Sequence, residues 1–535
     1  MTASAVTESR VGYDRIARRL WRSAPMGLND AVTSALISHL RDDLFAAAYT
    51  SESLETLWGP DAASALRRGQ REPARRAVDT TVGLGALATL FALGLPVPTE
   101  HLAAALPALG VDGAVELGLV TIDGTRAVAL LDLRPHAFVD ALGSGSWWIA
   151  SDLGEMALRA PIPANHVLGV GGASMTLAGL MVDTKVDRAL DLGTGCGIQA
   201  LHAARHAKRV VATDISERAL ELARFNAALN GVTTIEFRLG SLFEPVAGET
   251  FDQIVSNPPF VITPRTAGVP SYEYRDGGLV GDALVASVMS NAAQYLAPGG
   301  VAQLLGNWEY RAGEDAFDRV NGWLGGALDS AALDAWVVER EVQDAALYAE
   351  TWIRDGGILP RTDEFDALYA AWLDDFAARG VTSIGFGYVT LRRPAAGAPT
   401  LRSLERLHGG LGNNPAGLGV HVAASLAAHD AQASMTDTEL AHATLVVAGD
   451  VTEERHYWPG DEDPTVMDLR QGSGFGRTYP LGTALAAVVG ACDGELELGA
   501  ICSAVAQLLE VDDAELLAEV LPSVRELITT GFLGL

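Results

Sequence analysis

Lysine and cysteine are nearly missing from this chain of 535 residues, which holds two lysines, Lys185 and Lys208, and three cysteines, Cys196, Cys492 and Cys502. Three such thiols build no disulfide framework and no Cys-rich zinc site, and a reducing, cytoplasmic setting fits them best. Arginine therefore carries the positive charge, and there is little of it: 38 basic side chains face 67 acidic ones, a net charge of −29. The far field of such a chain repels phosphate, which argues against coating a polyanion. Long hydrophobic runs are missing too. The most apolar uncharged stretch, residues 80–99, breaks at Gly94-Leu95-Pro96-Val97-Pro98 and suits a buried core helix rather than a bilayer span. The first 25 residues carry Arg10, Arg15, Arg18, Arg19 and Arg22 without an apolar core after them, so they do not read as a secretory signal. No His/Asp/Glu spacing suggests a metal site.

What is present is apolar material: 49% hydrophobic residues and a mean hydropathy of +0.18, ample for packed cores. At about 150 residues per domain the length predicts three or four domains. The acidity is uneven. Residues 1–80 hold 11 basic and 10 acidic side chains, whereas from residue 395 onward 20 acidic residues face 6 basic ones. The one basic patch is the cluster Arg67, Arg68, Arg71, Arg75 and Arg76, either a phosphate grip or a solvated helix face. Glu453-Glu454-Arg455-His456 and Asp461-Glu462-Asp463 read as solvated charge runs.

Periodicity divides the chain into three. Residues 1–150 read as an N-terminal helical, winged-helix-like domain. Its helical pattern runs over 16–79 and is followed by helices at 82–93, 99–107 (Thr99 a plausible N-cap) and 111–117. A hairpin follows at 119–131 around Gly124-Thr125. A domain of this outline serves protein docking or substrate positioning more readily than nucleic-acid binding when its third helix has little charge. Gly143-Ser144-Gly145-Ser146-Trp147-Trp148 reads as a linker. Residues 151–394 alternate strand and helix: strands at 186–192, 209–213, 235–238, 251–256 and 301–305, helices at 198–206, 217–230 and 282–296. Such alternation predicts a doubly wound, mostly parallel α/β sheet. Apolar runs at 335–342 and 383–391 would close it as a strand pair around a helical insert that includes 363–378. Residues 395–535 read as an acidic, winged-helix-like C-terminal domain. It opens on the Gly-rich stretch at 409–417, has strand-like pieces near 443–447 and 466–470, and ends in three helices near 481–491, 496–509 and 514–529. Gly531-Phe532 closes it much as Gly118-Leu119 closes the first.

The chemistry-bearing motif is Asp191-Leu192-Gly193-Thr194-Gly195-Cys196-Gly197, directly after an apolar strand and opening a helix. Glycines there let backbone pass close to a cofactor. Asp214 ends the next strand, where a carboxylate can accept both hydroxyls of a ribose, and that alone still allows a dinucleotide. The fourth strand, however, leads into Asn257-Pro258-Pro259-Phe260, for which a dinucleotide dehydrogenase has no use.

With these elements in this order, residues 160–310 resemble the class I S-adenosylmethionine-dependent methyltransferases of the Asn-Pro-Pro-(Tyr/Phe) branch. That branch includes the release-factor glutamine methyltransferases and the enzymes acting on exocyclic amines of nucleic-acid bases. The resemblance implies S-adenosylmethionine as cofactor, with Asp191, Gly193, Thr194, Gly195 and Gly197 around its methionine part. Asp214 and Ile215 would lie at the ribose, Ser241 and Leu242 would flank the adenine, and Asn257 would meet cofactor and acceptor alike. Many relatives carry an acid where Ser241 stands. Ser174 and Thr176 fall where relatives place a helix over the cofactor, though plain helix capping explains them equally. Tyr274-Arg275-Asp276-Gly277-Gly278 resembles the Asp-Gly-Gly stretch of the glutamine enzymes and suggests a substrate loop. Cys196 reads as a small packing residue.

An amide or aromatic amine nitrogen is a poor nucleophile because its lone pair is delocalised. The Asn257 side-chain oxygen and the Pro258 carbonyl can both accept hydrogen bonds from a planar NH₂. Pro258 and Pro259 stiffen the loop, and Phe260 can stack on the planar group. Hydrogen bonding and alignment with the methyl sulfonium then suffice for direct displacement. Three functions follow. The first is N-methylation of a glutamine side chain in a protein, with the flanking domains docking it. The second is methylation of an exocyclic base amine in RNA or DNA, and the third is a non-catalytic regulator that binds S-adenosylmethionine. The expected partner is a macromolecule, protein before RNA, with no metal and no membrane; oligomeric state is not legible.

Overall fold

A computed structural model describes residues 31–158, 162–266, 268–270, 275–325 and 332–535. The helical pattern expected over 16–30 and Tyr274 lie outside them.

Eight strands form the central sheet: β1 (Val186–Leu192), β2 (Ala207–Asp214), β3 (Ile235–Leu239), β4 (Phe251–Ser256), β5 (Leu296–Arg311), β6 (Asp334–Asp344), β7 (Val381–Arg392) and β8 (Arg402–Arg406). Their order across the sheet is β3-β2-β1-β4-β5-β7-β6-β8. β1 to β5 run parallel, and β7 lies antiparallel between β5 and β6. The strand order reverses at β1/β4, which opens a crevice at the carboxyl ends of those strands. Alternating helices, Ile198–Ala203, Glu217–Leu229 and Ala283–Tyr295, cover the faces. Buried Leu190, Leu192, Val211 and Ile254 on one side and Ala189, Val210, Ala212 and Val255 on the other account for strands apolar on both faces.

Four local readings differ. β5 continues six residues past the expected Leu305, through Asn307, Trp308 and Glu309, all fully buried. Each polar residue there finds a tertiary partner: Trp308 Nε1 donates to Glu339 at 2.7 Å, and Arg379 and Arg311 pair with Glu309. Gly143–Trp148 is no linker. It belongs to the strand Gly143–Asp152, paired residue for residue with Leu131–Asp140. Gly145 is required because a Cβ there would lie 2.2 Å from the Phe138 ring, which packs 4.1 Å from Trp147. Gly145 makes room for the Phe138 ring. Thr99 is the first helical residue, preceded by Pro98, and caps nothing; its N–H is taken by Thr125 of the hairpin. Finally β8 extends the catalytic sheet beyond residue 394, parallel to β6.

The N-terminal part has helices Ala31–Ala46, Ser51–Arg67 (kinked at Gly59-Pro60) and Glu72–Ala77, then Gly83–Leu87 running into a π turn, Thr99–Ala105 and Gly110–Glu116. The hairpin Val120–Asp123/Arg126–Ala129 follows, and Val97-Pro98 adds a third strand. Its core continues into the catalytic part through Leu201, Leu222, Phe225 and Leu229. Asn226 is fully buried at this junction. It accepts from Ala150 N at 2.7 Å and donates to Ala150 O and to Cys196 O of the glycine loop at 2.9 and 2.8 Å.

The C-terminal part packs the helix Leu418–Ala433 against the helix Gly172–Leu180 and the sheet, with Leu418, Val422 and Leu426 buried beside Leu177, Leu180 and Trp336. Helices Thr483–Gly490, Leu498–Leu509 and Asp513–Thr529 follow. Gly118-Leu119 and Gly531-Phe532 close their helices alike, each with a left-handed glycine followed by a buried apolar residue bonded back to the helix.

Candidate active site

The glycine loop is shaped by three left-handed residues, Gly193 (φ 78°), Gly195 (φ 55°) and Gly197 (φ 88°). A Cβ at Gly193 or Gly195 would point into open space, whereas one at Gly197 would press to 3.0 Å on Ala223. The first two glycines leave a cradle and the third lets the helices meet. Gly193 and Thr194 N–H groups both donate to Thr213 O at 2.9 Å, tying the loop to the end of β2.

Asp191 is fully buried at the loop's base. Thr194 Oγ1 donates to its Oδ2 at 2.5 Å, and its Oδ1 has no partner. Burial pushes its carboxyl up to about 7, and nearby Asp214 adds to the rise. Asp214 accepts from Gly195 N and from Ser216 N, both at 2.9 Å, so its carboxylate is locked to the glycine loop. Ile215 beside it is 66% exposed, an apolar shelf next to a polar cradle. Gly240 N donates to Asp214 O at 3.0 Å and brings Ser241 and Leu242 to the same rim, Leu242 in a left-handed conformation (φ 45°). Cys196 is buried and its thiol is pushed up to about 11, consistent with packing. Ser174 and Thr176 lie inside the helix Gly172–Leu180, which Gly171 opens without a side-chain cap. Gln199 Nε2 donates to Ser174 O at 2.7 Å and holds that helix over the loop.

Asn257-Pro258-Pro259-Phe260 leaves β4 beside this cradle, and Ser256 Oγ donates to Leu192 O at 2.7 Å, joining the starts of both loops. Asn257 Oδ1 is buried without a partner. Phe260 pairs with Asp276 as an isolated antiparallel bridge, and Val261 N donates to Arg275 O at 2.8 Å. The Asp-Gly-Gly stretch therefore lies against the loop: a Cβ at Gly277 would come 3.0 Å from Pro259 O. Arg265 pairs with Asp276 Oδ1, and Arg275 with Asp355 at 2.9 Å.

Sequence reasoning missed the residues that brace this loop from the far side. Asn307 Nδ2 donates to Phe260 O at 2.8 Å and lies 3.2 Å from Tyr348 OH, which accepts from Ile262 N at 2.9 Å. Trp352 and Phe386 pack edge-on to Phe260, each 6.4 Å away. The one signal was a polar Asn307 inside an apolar strand. Elsewhere the arginine cluster is largely spent: Arg75 and Arg76 pair with Glu72, Arg68 bonds Ser64, and Arg71 bonds Leu93 O. No group of three or more His, Cys, Asp or Glu that could hold a metal occurs among the described residues. No helix among them is long and apolar enough to cross a membrane.

A cradle of bare glycine backbone, a carboxylate locked at the next strand end, an apolar shelf and a bare amide oxygen suit a sulfonium nucleoside carrying an amino acid. This site and the strand order define a class I methyltransferase whose cofactor is S-adenosylmethionine, and the family described as Methyltransferase small domain matches residues 169–317. A Methanocaldococcus jannaschii protein named as a protein N5-glutamine methyltransferase is 37% identical over 135 residues, which make up 25% of this chain and 68% of that one. A Bordetella pertussis ribosomal protein uL3 glutamine methyltransferase is 31% identical over 215 residues, 37% of this chain and 70% of that one. The chain belongs to this family of glutamine methyltransferases. It spans less of other relatives: 48% of a Xylella fastidiosa release factor glutamine methyltransferase, at 38% identity over 23% of this chain. A solved methyltransferase from Pyrococcus furiosus aligns with 41% of this chain and 80% of its own at 17% identity, with a TM-score of 0.24, which adds nothing to the strand order. Residues 46–130 and 426–534 each match a domain of unknown function.

Proposed function

We propose that this protein transfers the methyl group of S-adenosylmethionine to the side-chain amide nitrogen of a glutamine in a protein of the translation apparatus. The observation that carries this reading is the bare, buried Asn257 Oδ1 at the mouth of β4, beside the glycine cradle and braced from behind. The named substrates of the relatives, a release factor and a ribosomal protein, support the choice of acceptor.

When bound, the cofactor supplies an electrophilic methyl on a sulfonium. Asp191, Gly193, Thr194, Gly195 and Gly197 hold its amino-acid end, Asp214 and Ile215 its ribose, and Ser241 and Leu242 its adenine. Asn257 Oδ1 and the Pro258 carbonyl accept the two N–H groups of the acceptor amide, which raises electron density on nitrogen and aims it. Pro259 fixes the turn and Phe260 stacks on the amide plane. Methyl transfer to that nitrogen would leave the electron pair of the S–CH₃ bond on sulfur, and the amide proton would pass to water. The flanking units present the acceptor protein.

Label transfer from methyl-labelled S-adenosylmethionine into fractionated cell extract tests this. Label is expected in protein. Label in RNA would replace the reading with base-amine methylation, and label in neither would leave a cofactor-binding regulator.

A further inference from the structure

The loop that leaves β4 is surrounded by buried polar atoms without partners: Asn257 Oδ1, Thr263 Oγ1, Asp276 Oδ2, Asn307 Oδ1 and Trp352 Nε1. The other half of two of these groups is committed. Arg265 occupies Asp276 Oδ1, and the Phe260 carbonyl occupies Asn307 Nδ2. Three of the five are therefore acceptors only, the Thr263 hydroxyl can play either part, and the Trp352 indole can only donate. A buried indole N–H ordinarily finds a partner. Trp352 comes from the helix Ala345–Asp355, which the insert between β6 and β7 contributes, and its ring lies 6.4 Å from Phe260 at 80°. Its position is fixed from both sides: Arg275 Nη1 donates to its carbonyl at 2.7 Å, and Tyr348, one turn earlier, is fully buried under the loop.

A primary carboxamide presents two N–H donors and one carbonyl acceptor in a single plane. Asn257 Oδ1 and the Pro258 carbonyl can take the two donors, which leaves the carbonyl oxygen in need of a donor. We infer that Trp352 is a specificity-determining residue whose indole N–H donates to the carbonyl oxygen of the acceptor carboxamide. This rests on the amide-methylating reading above and adds to it a reason for rejecting alkyl amines. An alkyl amine, protonated near neutral pH, offers no acceptor, so binding it would bury the indole N–H unpaired, and unpaired polar groups are what make such sites selective. The same hydrogen bond orients the amide plane over Phe260.

Two measurements on the full-length protein test the inference. In the first, Trp352→Phe is compared with wild type on the methylated protein fraction. We expect kcat/KM to fall roughly ten-fold, the size of one lost hydrogen bond to a buried site. The cofactor dissociation constant should stay within about two-fold, and Trp352→His, which keeps a ring N–H, should recover part of the loss. In the second, indole N–H resonances are followed by nitrogen-15 NMR in protein saturated with S-adenosylhomocysteine, the Trp352 signal being the one missing from Trp352→Phe. Propionamide should move that signal downfield and propylamine should not. Wild-type kinetics in Trp352→Phe, with Asn257→Ala inactive, or an equal response to both probes, would overturn the role of Trp352 and leave glutamine methylation standing. Label transferred to RNA would overturn the underlying reading itself. Should Trp352→Phe fail to fold, the indole signal missing from Trp352→His identifies Trp352, and the NMR comparison on wild type decides.

Discussion

The cofactor side and the acceptor side of the crevice are built by different means. From Asp191 to Leu242 the contacts span shorter stretches of chain: Thr194 to Asp191 over 3 residues, Gly195 to Asp214 over 19 and Gly240 to Asp214 over 26. From Asn257 onward the contacts reach much further, Ile262 to Tyr348 over 86 residues and Phe260 to Asn307 over 47. The cofactor side also satisfies most of its own polar groups, whereas the acceptor side leaves several bare. A site that meets an invariant small molecule can be finished within one supersecondary unit. One that meets a protein keeps open valences and depends on distant elements to aim them.

The sharpest way to break that contrast is Asn257→Ala. If the acceptor side aims the amide and the cofactor side binds independently, methyl transfer should fall by about 10²–10³-fold, as for removal of a group that polarises the reacting centre. Cofactor affinity, read by titration calorimetry, should stay near normal. Equal loss of both would mean that the two sides are one.

Next in size is the seam between the C-terminal unit and the helix over the cofactor loop. A Cβ at Gly419 would sit 1.9 Å from Met181 O, so Gly419→Ala must push the helix Leu418–Ala433 away from the segment after Gly172–Leu180. A loss of roughly 1–3 kcal/mol in denaturant unfolding is expected, the range for overpacking. Unchanged stability would show that this unit is not fixed to the cofactor side.

Asp191 gives a pH-dependent effect. Its folded carboxyl, raised to about 7, keeps the proton that an unfolded aspartate gives up near 4. Burial therefore costs stability progressively as pH rises from about 4 to about 7, and no more beyond. The gain in thermal midpoint of Asp191→Asn over wild type should grow across that window and then level; a pH-independent difference would contradict the assignment. Least of all, Glu72→Ala frees Arg75 and Arg76, both exposed. No resolvable change in thermal midpoint and no gain in RNA retention on a filter are expected, because exposed pairs of this kind contribute little.

The same contrast governs what the sequence disclosed. β1 to β4, their helices and Asp191, Gly193, Gly195, Gly197, Asp214 and Asn257 were legible because apolar runs and turn residues carry local signals. The strand pair β6 and β7 around a helical insert was legible for the same reason. Trp352 and Tyr348 were not, since only the tertiary closure of the insert brings them under the loop, and Asn307 showed only as a polar residue in β5. Gly143–Trp148 misled for a related cause: glycine and serine signal a linker locally, and only the Phe138 ring, across the hairpin from Gly145, shows that this glycine clears space. The strand β5 was expected to end at Leu305 and runs on to Arg311, because Arg311 and Arg379, the partners of the buried Glu309, were not visible as partners.

The central claim is that the methyl group ends on a side-chain amide of a protein. Tandem mass spectrometry of the labelled product after proteolysis tests it most directly. A single peptide carrying the added methyl on a glutamine side chain, released on hydrolysis as methylamine, is the predicted result. Methyl on a nucleoside, or on an amino acid that yields no methylamine, would contradict it.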